Sequence, residues 1–272
     1  MQEAARLLAF AEAAYESPEV IRQACGLYSH EVLFLEGTSA PGAPAHFLSF
    51  DSERKEAILS VRGTQTLSDV LTDLLQDIDE FELEGEKKSY AHAGFLASAT
   101  HVLWRVTPLV RDLLSPMGYS LLVTGHSLGA GTAALVTRML SRDAASWSSS
   151  PKSIRCICFA PPPVVDAPTA LDSPCITSLV CNDDCVPRMS LQNIGRLNLL
   201  AQGKAVEEVV KVGAERKDAI AQCRDIPDLM VPGQVIMLHR LEAAPPQQSE
   251  EEEEEEEKEE KEEQEEQEEK EE

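Results

Sequence analysis

The sequence lacks an apolar run long enough to cross a bilayer, so no transmembrane helix is expected. Its amino terminus, Met-Gln-Glu-Ala-Ala-Arg-Leu-Leu-Ala-Phe-Ala-Glu, has neither a basic leading segment nor a pure apolar core. That excludes a secretory signal and leaves a cytoplasmic or peripherally membrane-attached protein as the expectation. No zinc-like paired spacing of cysteines with histidines appears, and the Cys-Ile-Cys of 156–158 sits inside an apolar run. No metal and no cofactor are expected, and the seven cysteines, mostly in apolar runs, read as reduced core residues. Basic residues are also scarce, 24 against 48 acidic, and nothing suggests nucleic-acid binding.

The acidic excess is local. Residues 250–272 carry 18 glutamates against 3 lysines and account for −15 of the chain's −24, leaving −9 for residues 1–249. Such a run repels itself and has no apolar face to bury, so it is read as a disordered tail; it also lacks the glycine-punctuated spacing of a calcium loop. The organisation expected is one α/β domain over 1–243, followed by a Pro/Gln then Glu-rich low-complexity tail over 244–272.

Within the body, short apolar runs alternate with helical stripes. Residues 45–50 and 57–61 read as strands joined by a charged turn, and 154–159, 176–181 and 234–241 as further strands. Leu7, Leu8, Ala11, Ala14 and Tyr15 give an amphipathic first helix, 95–114 reads as helix through and beyond Pro108, and 204–222 as a charged amphipathic helix. This alternation predicts a mostly parallel sheet with helices on both faces. Leu67, Val70, Leu71, Leu74 and Leu75 also recur at helical spacing, either as a lid over an acyl pocket or as packed core.

One segment carries chemistry. Residues 119–140 place Ser127 in Gly-His-Ser-Leu-Gly, between the strand-like Leu121-Leu122-Val123 and a helix rich in small residues. A sharp strand-to-helix turn would lift the serine hydroxyl clear of the sheet, and Gly125, Gly129, Ala130 and Gly131 would let helix and strand approach closely. That is a nucleophile elbow. Attack by its serine on an ester creates an oxyanion that needs preorganised donors about 3 Å away, and the backbone N–H of Leu128 supplies one. The strand ending at Cys181 delivers Asn182-Asp183-Asp184 to the position of a triad acid; Asp184 is the first choice and Asp183 the second, one of the two being a solvated turn acid.

These segments together resemble the class 3 lipases over roughly residues 1–241. The resemblance rests on Val-Arg-Gly-Thr at 61–64 with Leu-Thr-Asp-Leu at 71–74, His-Ala-Gly-Phe at 92–95, the elbow at 125–129, and Asn-Asp-Asp-Cys-Val-Pro-Arg at 182–188, the last in the style of the sn-1-specific diacylglycerol lipases. It implies an α/β-hydrolase fold, Asp184 as the acid, Thr64 as the second oxyanion donor and His92 as a structural residue. The pattern departs at the base. Chain order demands a histidine after Asp184, and His239 stands alone there, within or at the end of the last strand, where a structural role is expected. A fuller chain would carry the base downstream of the acidic run. His126 is expected to point away from the nucleophile, and His30, His46 and His101 to be surface or core-edge residues.

Two functions follow as expectations. One is a serine hydrolase that cleaves a neutral or zwitterionic glycerolipid at a membrane or droplet surface through an acyl-enzyme on Ser127. The other is a catalytically incomplete lipase-like domain that binds lipid or protein.

Overall fold

The computed structural model describes residues 2–64, 78–81, 88–190, 193, 200–201, 203 and 228–239. The readings for 65–75, 204–222 and 244–272 lie outside them. The chain divides into a compact unit, Met1–Leu238, and a second unit beginning at His239.

In the first unit, α1 (Gln2–Ala13) and α2 (Pro18–Gly26) precede the strands β1 (Glu31–Glu36), β2 (His46–Asp51) and β3 (Glu56–Val61). Ser17 caps α2, its side chain accepting from the Val20 N–H, and Pro18 at the first helical position gives up an amide that would have had no partner. Next come β4 (Ile78–Phe81), β5 (Ser89–His92) and α3 (Ala93–Leu109), then β6 (Ser120–His126) and α4 (Leu128–Ala144). The remainder is β7 (Ile154–Phe159), β8 (Val165–Asp166), α5 (Ala167–Leu171), β9 (Ile176–Cys181), β10 (Leu229–Met230) and β11 (Gln234–Leu238).

The main sheet has the order β1-β2-β3-β6-β7-β9-β11. Its first two pairings are antiparallel and the remaining four parallel, which agrees with the sequence reading. Period-2 alternation explains how both faces are covered. Leu59, Val61, Leu121 and Val123 pack on one face with Phe95, Val102 and Leu135 from α3 and α4, while Ile58 and Leu122 pack on the other with Leu7, Phe10 and Ile21 from α1 and α2. Each such side chain contributes about 1.5–3 kcal/mol when fully withdrawn from water. The helix read through Pro108 does continue. Proline offers no N–H, and the chain beyond it widens into a π-helical turn, Val110–Leu114, in which Ser115 N–H reaches back to the Val110 carbonyl at 2.8 Å.

A second, four-stranded antiparallel sheet, β10-β8-β5-β4, had no counterpart in the sequence reading. Two histidines also correct it. His30 and His46 are 3% and 1% exposed, because the His30 ring lies 3.2 Å from Ser49 Oγ and His46 Nδ1–H donates to the Pro44 carbonyl at 2.8 Å, hydrogen bonds that permit burial. The cysteine reading holds only in part. Cys25, Cys156 and Cys158 are buried and Cys175 half-buried, but Cys181 and Cys185 are exposed; all six are free. Among the described residues no helix is long and apolar enough to cross a membrane.

Candidate active site

The site is built at the carboxyl ends of β3, β6 and β9, where ligand crevices form in sheets of this kind. Ser127 sits between β6 and α4 at φ 56°, ψ −127°, a backbone conformation that costs a non-glycine residue about 1–3 kcal/mol. Packing holds it there. The Ser127 N–H donates to the Phe159 carbonyl at 2.9 Å, and the Ser127 carbonyl accepts from Ala130 at 2.9 Å to start the helix. A serine at this position ordinarily caps the helix with its own oxygen. Here it makes no such bond, so the hydroxyl is kept from the helix end, in a recess where the residue is 6% exposed.

Glycines set the closeness of the turn. A Cβ on Gly125 would fall 2.6 Å from the Gly129 carbonyl carbon, and one on Gly129 would fall 2.6 Å from the Arg62 carbonyl carbon. Both obstacles are backbone, so neither can swing aside. Gly63 completes the lock: its missing side chain leaves room for the His126 carbonyl and the Tyr15 hydroxyl. This pulls the segment after β3 against the start of α4. Thr64 and Leu128 consequently line one cavity of about 770 Å³, together with Thr132, Ala40, Pro41, Gly42 and Pro44. The Leu128 N–H belongs to the first helical turn, where amides have no intrahelical acceptor.

Asp184 and Asp183 occupy different environments. The Asp184 N–H bonds the Cys181 carbonyl at 2.9 Å, its side-chain Oδ1 accepts from the Val186 N–H at 3.0 Å, and the residue is half-buried. Asp183 is exposed and takes a bond from the Asn182 amide at 2.7 Å. Arg188 stiffens the turn by donating to the Asn182 carbonyl at 2.7 Å and to that of Asp184. The charge of Asp184 also reaches His126. Burial lowers the His126 pKa, while Asp184 and, less strongly, Glu12 oppose the shift.

His126 has its own partner, Nδ1 lying 3.2 Å from the Tyr15 hydroxyl of the segment after α1. Burial raises the Tyr15 pKa, against a hydrogen bond from the Gly63 backbone and the charge of Arg62. The sequence reading gave Tyr15 no part here, and a tyrosine just past an amphipathic helix carries no signal that could have done so. His92 is buried beside Phe95, ring centroids 5.0 Å apart. His239 follows the last residue of β11 and is exposed; it belongs to the second unit. Its predecessor Leu238 pairs with Cys181 in the sheet, and the Leu238 carbonyl accepts from the Asn182 N–H at 2.8 Å. Among the described residues, no three His, Cys, Asp or Glu side chains gather as a metal site would require.

Comparison with known proteins identifies this arrangement. Residues 58–194 match the family model of lipase (class 3), a span that runs from β3 through the elbow to the Asp184 turn. Diacylglycerol lipase-alpha of Rattus norvegicus is 29% identical over 159 residues, covering 54% of this chain and 15% of the relative, and diacylglycerol lipase-beta of Mus musculus is 31% identical over 153 residues, covering 53% and 21%. The chain thus spans about a fifth or less of the length of these curated relatives. Among solved structures, the lipase of Rhizopus microsporus var. chinensis superposes with a TM-score of 0.60 at 23% identity, covering 71% of this chain and 70% of that one. Lipase II of Rhizopus niveus gives 0.58 at 23% identity, covering 69% and 74%, so the fold is that of the α/β-hydrolases. With its elbow, its Val-Arg-Gly-Thr segment and its Asp184 turn all inside the matched span, the chain belongs to the class 3 lipase family.

Proposed function

We propose that the protein is a serine hydrolase of glycerolipid esters acting at a membrane or lipid-droplet surface. In the first step Ser127 Oγ bonds to the acyl carbonyl carbon while a histidine takes its proton. The tetrahedral oxyanion is held by the Leu128 N–H and by Thr64, and collapse expels the glycerol oxygen, which receives the proton back. Water, deprotonated by the same histidine, then releases the fatty acid and restores Ser127. Asp184 orients that histidine and stabilises its charged form. Chain order puts this histidine after Asp184, where His239 is the candidate within these 272 residues, alongside a base downstream of the acidic run.

The observation that carries this reading is the backbone of Ser127, strained at φ 56°, locked between glycines and denied its capping bond. A structural serine gains nothing from that conformation. The name of the diacylglycerol lipase relatives supports a diacylglycerol as substrate, and the modest charge of the body, −9, fits a neutral or zwitterionic interface better than an anionic one.

Hydrolysis of a 1,2-diacylglycerol emulsion by the purified chain tests the proposal. Fatty acid release is expected, with Ser127→Ala reducing it by about a million-fold. His239→Gln decides between the two positions for the base: loss of turnover with the melting temperature unchanged would make His239 the base. Equal turnover by Ser127→Ala would reject the nucleophile, full activity in His239→Gln would reject the base, and lipid binding without hydrolysis in the parent chain would favour a binding module.

A further inference from the structure

One hydroxyl beside the elbow takes no part in the ester chemistry, yet it touches the backbone on both sides of it. Tyr15 follows α1, whose Leu7, Phe10 and Ala11 pack with Ile58 and Leu122 of the sheet and whose Phe10 carbonyl accepts from Ser60 Oγ of β3 at 2.9 Å. That docking carries the half-buried Tyr15 to the carboxyl ends of β3 and β6. There its hydroxyl accepts from the Gly63 N–H, donates to the His126 carbonyl at 3.4 Å, and lies 3.2 Å from His126 Nδ1. With Nδ1 as the protonated nitrogen, the single proton and both lone pairs of the phenol are used. Burial raises the Tyr15 pKa, so the phenol keeps the proton that it donates.

The place of these bonds matters more than their number. Strands β3 and β6 pair in parallel from Glu56 beside Ser120 to Val61 beside Gly125, and the ladder ends there. Beyond it run Arg62-Gly63-Thr64 on one side and His126-Ser127-Leu128 on the other. The phenol takes the Gly63 N–H and passes a bond to the His126 carbonyl, a bridge that carries the pairing past its last rung. Glycine makes the room for it: a Cβ at position 63 would fall 2.4 Å from the Tyr15 hydroxyl and 2.5 Å from the His126 carbonyl oxygen. Each segment that the bridge grips leads at once to an oxyanion donor, Thr64 directly after Gly63 and Leu128 two residues after His126.

We infer that Tyr15 is a positioning residue, its hydroxyl setting the separation of the Thr64 and Leu128 donors by bridging the backbone that precedes each. The inference rests on the reading of the protein as a serine hydrolase with that oxyanion hole. A donor moved off its place loses most where the charge of the oxyanion develops and little where the ground-state ester binds. The phenol therefore acts on kcat rather than on KM.

Tyr15→Phe removes the hydroxyl and keeps the ring. With monomeric dihexanoylglycerol, kcat is expected to fall about tenfold, the scale of one hydrogen bond, with KM unchanged and the melting temperature within a few degrees of the parent's. An alkylboronic acid, which forms a tetrahedral adduct on the serine oxygen, is expected to lose affinity by the same factor. Unchanged kcat and boronate affinity would overturn the inference. So would a variant that unfolds, or one whose KM rises in step with the loss of kcat, since either marks an ordinary structural bond. The parent tells failure of the hydrolase reading apart: should it neither turn over the ester nor bind the boronate, the Thr64 and Leu128 N–H resonances decide. They are expected to move in Tyr15→Phe, and unmoved resonances would overturn the inference.

Discussion

Strand β3 ends in two opposite ways. At its start, Glu56 is closed off: both of its oxygens take bonds from Arg6, and His30 Nε2 stands 3.5 Å away as an ion-pair neighbour. Burial would raise the pKa of Glu56, but His30 and Arg6 outweigh it and bring the carboxyl down to about 2. At its far end, β3 runs into Arg62 with an unmet donor, a glycine that admits its neighbours' backbone, and a threonine facing a cavity. The next strand repeats the contrast, β6 starting at Ser120 beside Glu56 and ending at strained Ser127. Arg6 pairs with Glu56 at one end of these strands, while the other end keeps the strained backbone of Ser127.

The sharpest way to break this contrast is to fill the elbow. Gly129→Ala should cost about 3 kcal/mol or prevent folding, because its Cβ would meet the backbone of Arg62 and Gly63. Gly26→Ala, at the end of α2 with nothing within 4 Å, should raise stability by about 0.5 kcal/mol. Thermal denaturation of the pair compares them, and equal effects would contradict the lock.

At the acid turn, Asp184→Asn should lower kcat by about 10⁴, while Asp183→Asn, with its exposed side chain, should change it little. Loss of activity in Asp183→Asn alone would reverse the assignment of the two acids.

The paired end should show in pH dependence. The folded pKa of Glu56 lies below its unfolded value, so its contribution is fully present above about pH 4.5 and is lost as pH falls through about 2. Glu56→Gln should therefore destabilise the protein by about 2 kcal/mol at neutral pH, with the gap to the parent narrowing in acid. A constant gap in urea melts down to pH 2.5 would show that the pair carries no such linkage.

The smallest effect expected is chemical. Iodoacetamide on the native protein should modify exposed Cys181 and Cys185 first, while Cys25, whose buried thiol is pushed up to about 11, and Cys158, also raised, remain unreacted. Peptide mapping reads the order.

What could be read from sequence was what is encoded locally. The strands 154–159 and 176–181 match β7 and β9 residue for residue, since each is a short apolar run between turn signals. The elbow was legible because strand, glycines and small-residue helix follow one another directly. Burial of His30 was not, because it depends on Ser49 and Glu56, which only the folded sheet brings to it; that of His46 depends on the packing of Phe34 and His101 around its ring. The second sheet escaped because β8 and β10 have two residues each, too few to carry a period. Tyr15 at His126 and the unmet donor of Arg62 are likewise products of tertiary approach between segments far apart in the chain.

The central claim is that the strained end of the sheet holds an activated nucleophile at Ser127, and covalent labelling tests it most directly. A fluorophosphonate ester offered to the folded protein should phosphonylate Ser127, detected as a mass shift on the peptide that contains it. The heat-unfolded protein and Ser127→Ala should remain unlabelled at that peptide. Failure of the folded parent to label, or labelling at another serine while Ser127 stays intact, would contradict the account.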